Sequence, residues 1–267
     1  MKRYYSFLLF LLIAPLLFMT CKKDDEGNTV VNIFSIQDDV KMGKQMDDYI
    51  RDSSGYVLLS RDQYPLAYNY IERIKNEILN SGKIRYKDEF EWKITIIQDD
   101  ETLNAFATPG GYIFVYTGLM KYLDCGDHFA GVLGHEMAHS DKRHSTNQLT
   151  KQYGVNTLLG ILLGNGTISQ VTQSLIGLKF SRDDENEADE YSVKYLCHVN
   201  DVGAAGAAGF FEKLISAGSG GYTPEFLSTH PNSENRVENI KKTASELGCN
   251  AEQICDEEYE AVINSLP

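Results

Sequence analysis

Phe129-Ala130-Gly131-Val132-Leu133-Gly134-His135-Glu136-Met137-Ala138-His139 places two histidines four residues apart with a glutamate directly after the first. Apolar residues recur through Phe129, Val132, Leu133 and Met137, and this spacing predicts a helix over residues 128–143. On a helix His135 and His139 project from one face, one turn above the other. Two neutral imidazoles so placed can take two corners of a zinc tetrahedron. Glu136 is rotated by roughly 100° from His135, so its carboxylate can reach a metal-bound water without being a ligand.

A catalytic zinc wants a third protein ligand and an open fourth position. The acidic run Asp183-Asp184-Glu185-Asn186-Glu187, followed by Asp189, opens a predicted helix over 184–198. Glu185 and Asp189 share a face, whereas Glu187 points almost oppositely. With Glu185 as ligand, Asp189 is placed to hydrogen-bond a ligand imidazole and fix its tautomer. The same run also reads as a solvated first turn that suits the helix dipole, and spacing alone leaves both readings open.

Working outward, helices are predicted from Ser35 to Ile50 and from Tyr64 to Leu79, the second burying Leu66, Tyr70, Ile71, Ile74 and Ile78. The period then changes. Trp92, Ile94 and Ile96 alternate with their neighbours as in a strand, Pro109-Gly110-Gly111 marks a turn, and Tyr112 to Tyr116 is a second strand. Residues 150–178 are apolar and glycine-sprinkled, interrupted by Asn165, Thr167, Ser169 and Gln170, and predict a helical hairpin over the site or against a membrane. Further helices are expected over 205–216 and 233–247. The fold class is α+β, mainly helical, with a small sheet.

Lys2 and Arg3 precede an apolar run from Phe7 to Met19, which ends at Thr20-Cys21. This is the layout of a signal peptide, and it resembles the leader of bacterial lipoproteins, in which that cysteine is acylated. The expected organisation is a leader over 1–20, a tether over 21–34 lipidated at Cys21, and a zinc protease domain over 35–267. The lysine-containing acidic stretch after Cys21 resembles outer-membrane lipoprotein starts. The catalytic part is therefore expected outside the cytoplasm, anchored to the outer membrane on its periplasmic face or at the cell surface. The net charge of −13 argues against nucleic acid as a partner. In an oxidising compartment the remaining four cysteines permit two bridges. Closeness in sequence predicts Cys249 with Cys255, leaving Cys125 with Cys197.

Four segments in order carry a resemblance. They are Asn104-Ala105-Phe106-Ala107 with Pro109-Gly110-Gly111; Gly131 to His139 with Arg143-His144; Ser181-Arg182-Asp183-Asp184-Glu185-Asn186-Glu187-Ala188-Asp189; and Ser228-Thr229-His230-Pro231, closed by Arg236. The chain resembles the HtpX and CAAX-prenyl-protease family of zinc endopeptidases, in its soluble, periplasmic BepA/LoiP-like branch. The resemblance implies a zincin-type fold with one Zn2+ per chain, held by His135, His139 and Glu185. It also implies that residues 104–116, including Asn104, Ala105, Phe106, Gly110 and Gly111, border the cleft as a strand for peptide. His230 is implied to approach the metal, with Arg236 organising its loop. As an oxyanion donor, a fourth ligand in a resting form, or a loop histidine, its role stays open. Gly134 departs from the family's usual Ala, at some cost in helix stability.

The expected activity is hydrolysis of polypeptides by metal-activated water, with Glu136 as general base. The alternatives are a zinc-holding adaptor with little turnover and a degradative surface protease.

Overall fold

The helix that carries the two histidines is buried on every side, and the rest of the chain is arranged around it. The computed structural model describes residues 21–23, 29–52, 55–153, 160, 168–197, 199, 201–217, 225–231, 235–255 and 257–267. Two short strands, β1 (Cys21–Lys23) and β2 (Thr29–Val31), pair antiparallel. Helices α1 (Ile36–Asp52) and α2 (Pro65–Asn80) follow. Next come β3 (Lys93–Ile97), β4 (Ala105–Thr108) and β5 (Tyr112–Tyr116), then α3 (Thr117–Tyr122), α4 (Gly126–Asp141) and α5 (His144–Gln152). The remaining helices are α6 (Ile168–Ile176), α7 (Arg182–Leu196), α8 (Gly206–Ala217), α9 (Glu225–Thr229), α10 (Arg236–Glu246) and α11 (Glu257–Ser265). The fold is thus α+β and mainly helical, as the periodicity predicts.

The three-stranded sheet has the order β3-β5-β4. β5 is central, wholly buried, parallel to β3 and antiparallel to β4. A 3-10 turn at Pro109–Gly111 joins β4 to β5 with Ala105 opposite Val115 and Thr108 opposite Tyr112. Gly110 and Gly111 take φ of 76° and 84°, where a side chain is strained. At Gly111 a Cβ would also press on Trp92.

All 16 residues of α4 are buried. An apolar stripe on one face would not suffice there, which is why its sequence is apolar or small nearly all round. Its glycines admit neighbours at backbone distance. A Cβ on Gly131 would fall into the backbone of Gly206 and Ala207 on α8, and one on Gly134 would meet Ser192 Oγ of α7 at 2.7 Å. Gly134 therefore permits the α4–α7 approach, and Ser192 uses it to donate to the Gly131 carbonyl at 2.8 Å.

Three expectations change. Leu66 is exposed, because α2 turns Ala67 and Tyr68 inward instead. The predicted helix over 128–143 ends at Asp141, since Arg143 adopts φ 61° and a new helix starts at His144. Both predicted disulfides are wrong. Cys197 is bonded to Cys249, with Cα atoms 4.9 Å apart, tying the end of α7 to the end of α10. Cys125 and Cys255 are free thiols, and the Gln253 side-chain amide lies within reach of both sulfurs. The chain runs on from Cys249 past Ala204, which donates to the Asn250 carbonyl, carrying Cys255 away from it.

The expected leader over 1–20 lies outside the described residues, as do 154–159 and 161–167 of the expected hairpin; α6 is its described second half. Asn32, next to β2, is buried and donates to Thr146 and Asn147 of α5. No described helix is long and apolar enough to cross a membrane.

Candidate metal centre

Three elements bring the site together. α4 supplies His135, Glu136 and His139. α7 supplies Glu185 and Asp189, and its start is fixed by a capping box: Ser181 Oγ accepts from the Asp184 backbone, and the Asp184 carboxylate accepts from the Ser181 backbone. The stretch after α9 supplies His230, whose backbone N–H donates to the Phe226 carbonyl at 2.7 Å. Its ring stacks on Phe226, with centroids 4.3 Å apart. Phe180 stacks on His139 at 4.0 Å and closes the other flank.

One atom each from His135, His139, Glu185 and His230 lies within 4.8 Å of all the others. His135 Nε2 is 2.9 Å from His139 Nε2 and 3.2 Å from His230 Nδ1. Glu185 Oε1 is 3.1 Å from His230 Nδ1 and 3.4 Å from His139 Nε2, and its Oε2 is 3.5 Å from His135 Nε2. Zinc–nitrogen bonds of about 2.0–2.1 Å in a tetrahedron require ligand atoms roughly 3.3 Å apart. The spacings bracket that value.

The donor chemistry passes a second test. His135 Nδ1 is 2.9 Å from Asp189 Oδ1, so a proton belongs on Nδ1 and the Nε2 lone pair faces the cluster. His139 presents Nε2 to the same point. Lone pairs aimed at one another are repulsive unless a cation lies between them, and Glu185 Oε2 is buried with no hydrogen-bond partner.

The electrostatics favour positive charge at the centre. Burial pulls the His135 pKa down, but Asp189 and Glu185 outweigh it and push the value up to about 9. Burial raises Glu185, yet His230, His135 and His139 hold it well below the ordinary carboxylate value. His139 is lowered well below the usual imidazole value, by burial first and against the pull of Glu185. Arg236 is fully buried and grips Asp189 with a two-pronged contact, Nε to Oδ2 at 2.7 Å and Nη2 to Oδ1 at 2.6 Å. Its Nη1 sits 2.8 Å from Glu185 Oε2, an ion contact short of hydrogen-bond geometry.

Glu136 differs from every other acid in the site. It is wholly buried and neither carboxylate oxygen has a hydrogen-bond partner. Burial pushes its pKa up, against the pull of His230 and His135. His230 Nε2 stands 3.5 Å from its Oε1.

Of the expected strand, Ala105 packs with the α4 core and Phe106 turns to the opposite face, stacked on Phe114 at 4.9 Å. Asn104 is buried and its Oδ1 accepts from the Ala105 backbone. Gly110 and Gly111 lie against α1 and Trp92 and hold the turn. Two residues near the centre escape the facing rule. His144 is buried with Nδ1 2.9 Å from His139 Nδ1, and Glu187 reaches His144 Nε2 at 3.1 Å. The signal was present in the histidine five residues after His139, but nothing in the sequence fixed the turn between them.

Comparison with known proteins agrees with this geometry. The pattern of Peptidase family M48 matches residues 65–244. The chain is 29% identical over 200 residues to mitochondrial metalloendopeptidase OMA1 of Saccharomyces cerevisiae, covering 67% of this chain and 56% of that one. It is 29% identical over 199 residues to metalloprotease YcaL of Escherichia coli, covering 71% and 74%. With the β-barrel assembly-enhancing protease of Escherichia coli it shares 27% identity over 260 residues, 91% of this chain and 51% of the relative. The chain thus spans about half the length of several relatives it matches.

Proposed function

The chain belongs to peptidase family M48 and carries the buried metal cluster of a zinc-dependent endopeptidase; from this, together with the apolar leader ending at Cys21, we propose that it is an exported, lipid-anchored protease hydrolysing peptide bonds of misfolded or unassembled envelope proteins. The observation that carries the chemistry is Glu136, a buried carboxylate held by no close hydrogen bond, with His230 3.5 Å away, beside four converging metal-ligand atoms.

His135, His139 and Glu185 would hold one Zn2+, which when bound supplies a Lewis acid that polarises the scissile carbonyl and acidifies water. Glu136 takes the proton of the attacking water and returns it to the departing amine, a task suited to a carboxyl whose pKa is raised. Asp189 holds the His135 ring, and Arg236 holds Asp189. His230 would join that ligand set at rest, with its Nδ1 3.2 Å from His135 Nε2 and 3.1 Å from Glu185 Oε1, and its Nε2 faces Glu136 Oε1 at 3.5 Å. Ala105 and Phe106 lie on β4, the edge of the sheet, where an extended peptide would add as a further strand.

The location rests on the sequence of the leader and on Cys21. The Cys197–Cys249 bridge supports an oxidising compartment. Cys21→Ser should release the protein to the soluble fraction, and an intact N-terminus at Met1 in membrane-purified protein would refute processing. A second reading is a zinc-holding adaptor of low turnover, and complete burial of the cluster favours it.

One experiment separates the two. With Glu136→Gln the zinc content should stay near one per chain while hydrolysis of casein falls about a hundredfold or more. Glu185→Gln replaces an anionic ligand by a weak neutral one, so metal and activity should fall together. Undiminished hydrolysis by Glu136→Gln would remove the protease reading and leave the adaptor.

A further inference from the structure

His135 and His139 both turn Nε2 to the cluster, so each needs its remaining proton on Nδ1. For His135 the acceptor is a carboxylate, Asp189. For His139 it is another imidazole: Nδ1 of His144, 2.9 Å away. Two ring nitrogens at that distance make a hydrogen bond only if one carries the proton and the other does not. With His139 donating, His144 Nδ1 must be the bare nitrogen, and the His144 proton must sit on Nε2. That atom is 3.1 Å from Glu187 Oε2. Asp184 Oδ1 is farther, at 4.0 Å, and the other Asp184 oxygen already accepts from Ser181 and Gln148. Only one proton arrangement therefore satisfies all three residues while leaving the His139 Nε2 lone pair for a metal.

We propose that His144 and Glu187 form a positioning relay that fixes the tautomer and ring orientation of His139, doing through two groups what Asp189 does for His135 through one. The proposal rests on the zinc-site reading above. The fold holds the relay on independent elements. Arg143, with φ 61°, ends α4 and turns the chain so that His144, first residue of α5, faces back toward the helix it has just left. The Arg143 guanidinium is clamped by Asp39 and the Phe34 carbonyl. Glu187 comes from α7, one turn beyond the capping box that sets that helix. His144 is 1% exposed, whereas the Glu187 side chain is 27% exposed and can be replaced without opening a core cavity.

The test measures zinc dissociation constants by competition with a chromogenic chelator, on full-length protein, for Glu187→Ala, Glu187→Gln, His144→Phe and the Glu187→Ala/His144→Phe double variant. Partners of metal-bound histidines are worth about 10–100-fold in affinity. Glu187→Ala and His144→Phe should each weaken zinc binding by about tenfold or more. Glu187→Gln keeps an acceptor oxygen and should recover most of the loss. The double variant should bind no more weakly than His144→Phe alone, because Glu187 has no route to His139 without the ring. The cobalt-substituted protein should show an altered visible absorption band in the alanine variant and a near-native one in the glutamine variant.

Losses that multiply in the double variant would overturn the relay, as would an unchanged affinity in Glu187→Ala. If His144→Phe fails to fold, the alanine–glutamine contrast at residue 187 decides alone: equal losses refute the relay. A wild-type protein that binds no zinc overturns both this proposal and the protease reading. A wild-type protein that binds and cleaves, with indifferent variants, overturns the relay only.

Discussion

Arg236→Met is the substitution whose cost the structure defines most closely. Arg236 is 1% exposed, and its guanidinium contacts two carboxylates with side-chain exposures of 5% and 0%, Asp189 and Glu185. Its plane also lies over the Phe211 ring, 4.0 Å from the centroid. Methionine has similar length and can keep the contact with Phe211, so packing changes little and charge changes completely. Removing one partner of a buried ion pair costs about 3–5 kcal/mol, because the other is left buried and uncompensated. Asp189 retains the His135 contact, which places the expectation near the lower end, about 3 kcal/mol. At about 2–4 °C per kcal/mol for a chain of this size, the melting temperature should fall by roughly 6–12 °C.

The assay is thermal unfolding of the chelator-treated proteins at pH 7.5, followed by circular dichroism, which separates this loss from metal affinity. Asp189 also sets the pH dependence. Burial raises its pKa, but Arg236 and His135 more than reverse this and hold it below the ordinary value. A depressed carboxyl contributes stability that is full above the unfolded pKa of about 3.9 and lost as pH falls through the folded value. The gap between wild type and variant should therefore be complete at pH 7.5 and narrow in acid. Arg236→Lys keeps the charge without the fork and should fall between. A melting temperature within about 2 °C of wild type for Arg236→Met would refute the ion-pair account of this loop.

A non-reducing peptide map should show Cys197 joined to Cys249, and any other pairing of these two refutes the fold's account of α7 and α10. Iodoacetamide at pH 8 should label exposed Cys255 well before Cys125, whose thiol is buried and pushed up by that burial to about 11; equal rates would contradict it. Gly131→Ala drives a methyl into the α8 backbone and should destabilise by about 1–3 kcal/mol or more in a denaturant titration. Gly134→Ala meets the Ser192 side chain, whose hydroxyl can rotate away only by giving up its hydrogen bond to the Gly131 carbonyl while the helix gains propensity, so the loss should be about 1 kcal/mol and smaller than for Gly131→Ala. Equal losses at the two glycines would refute the distinction between backbone and side-chain obstacles.

Of the elements legible in the sequence, α1, α2, α8, α10 and the strands β3 and β5 show an apolar period, while α4, apolar nearly all round, and α7, opened by its acidic run, are legible without a one-sided stripe. The short helix α9 is too brief to show a period, and α11 follows a polar stretch that masks its few apolar residues. The disulfides were misread because separation along the chain is a poor guide to separation in space. Cys249 closes on the far end of α7, 52 residues back, while the six-residue step to Cys255 is spent running along Asp127 and Ala204. Gly134 shows the same limit from the other side. Propensity counts it as a cost, and only the position of Ser192 shows what the missing Cβ makes room for.

The metal cluster shows how far a helical wheel reaches. On α7 it correctly puts Glu185 and Asp189 on one face and keeps Glu187 out of the cluster. A wheel states what a residue turns away from, however, and not what stands on the side it turns toward. That depends on Arg143, whose left-handed backbone reverses the chain and sets His144 between His139 and Glu187. The two ligand histidines on α4 are consequently supported from opposite faces of α7, His135 by Asp189 and His139 by Glu187 through His144. A single helix can then hold one ligand and brace two others only if both of its acidic faces are engaged. The acidic density of Asp183 to Asp189, readable as a solvated first turn, is what supplies both.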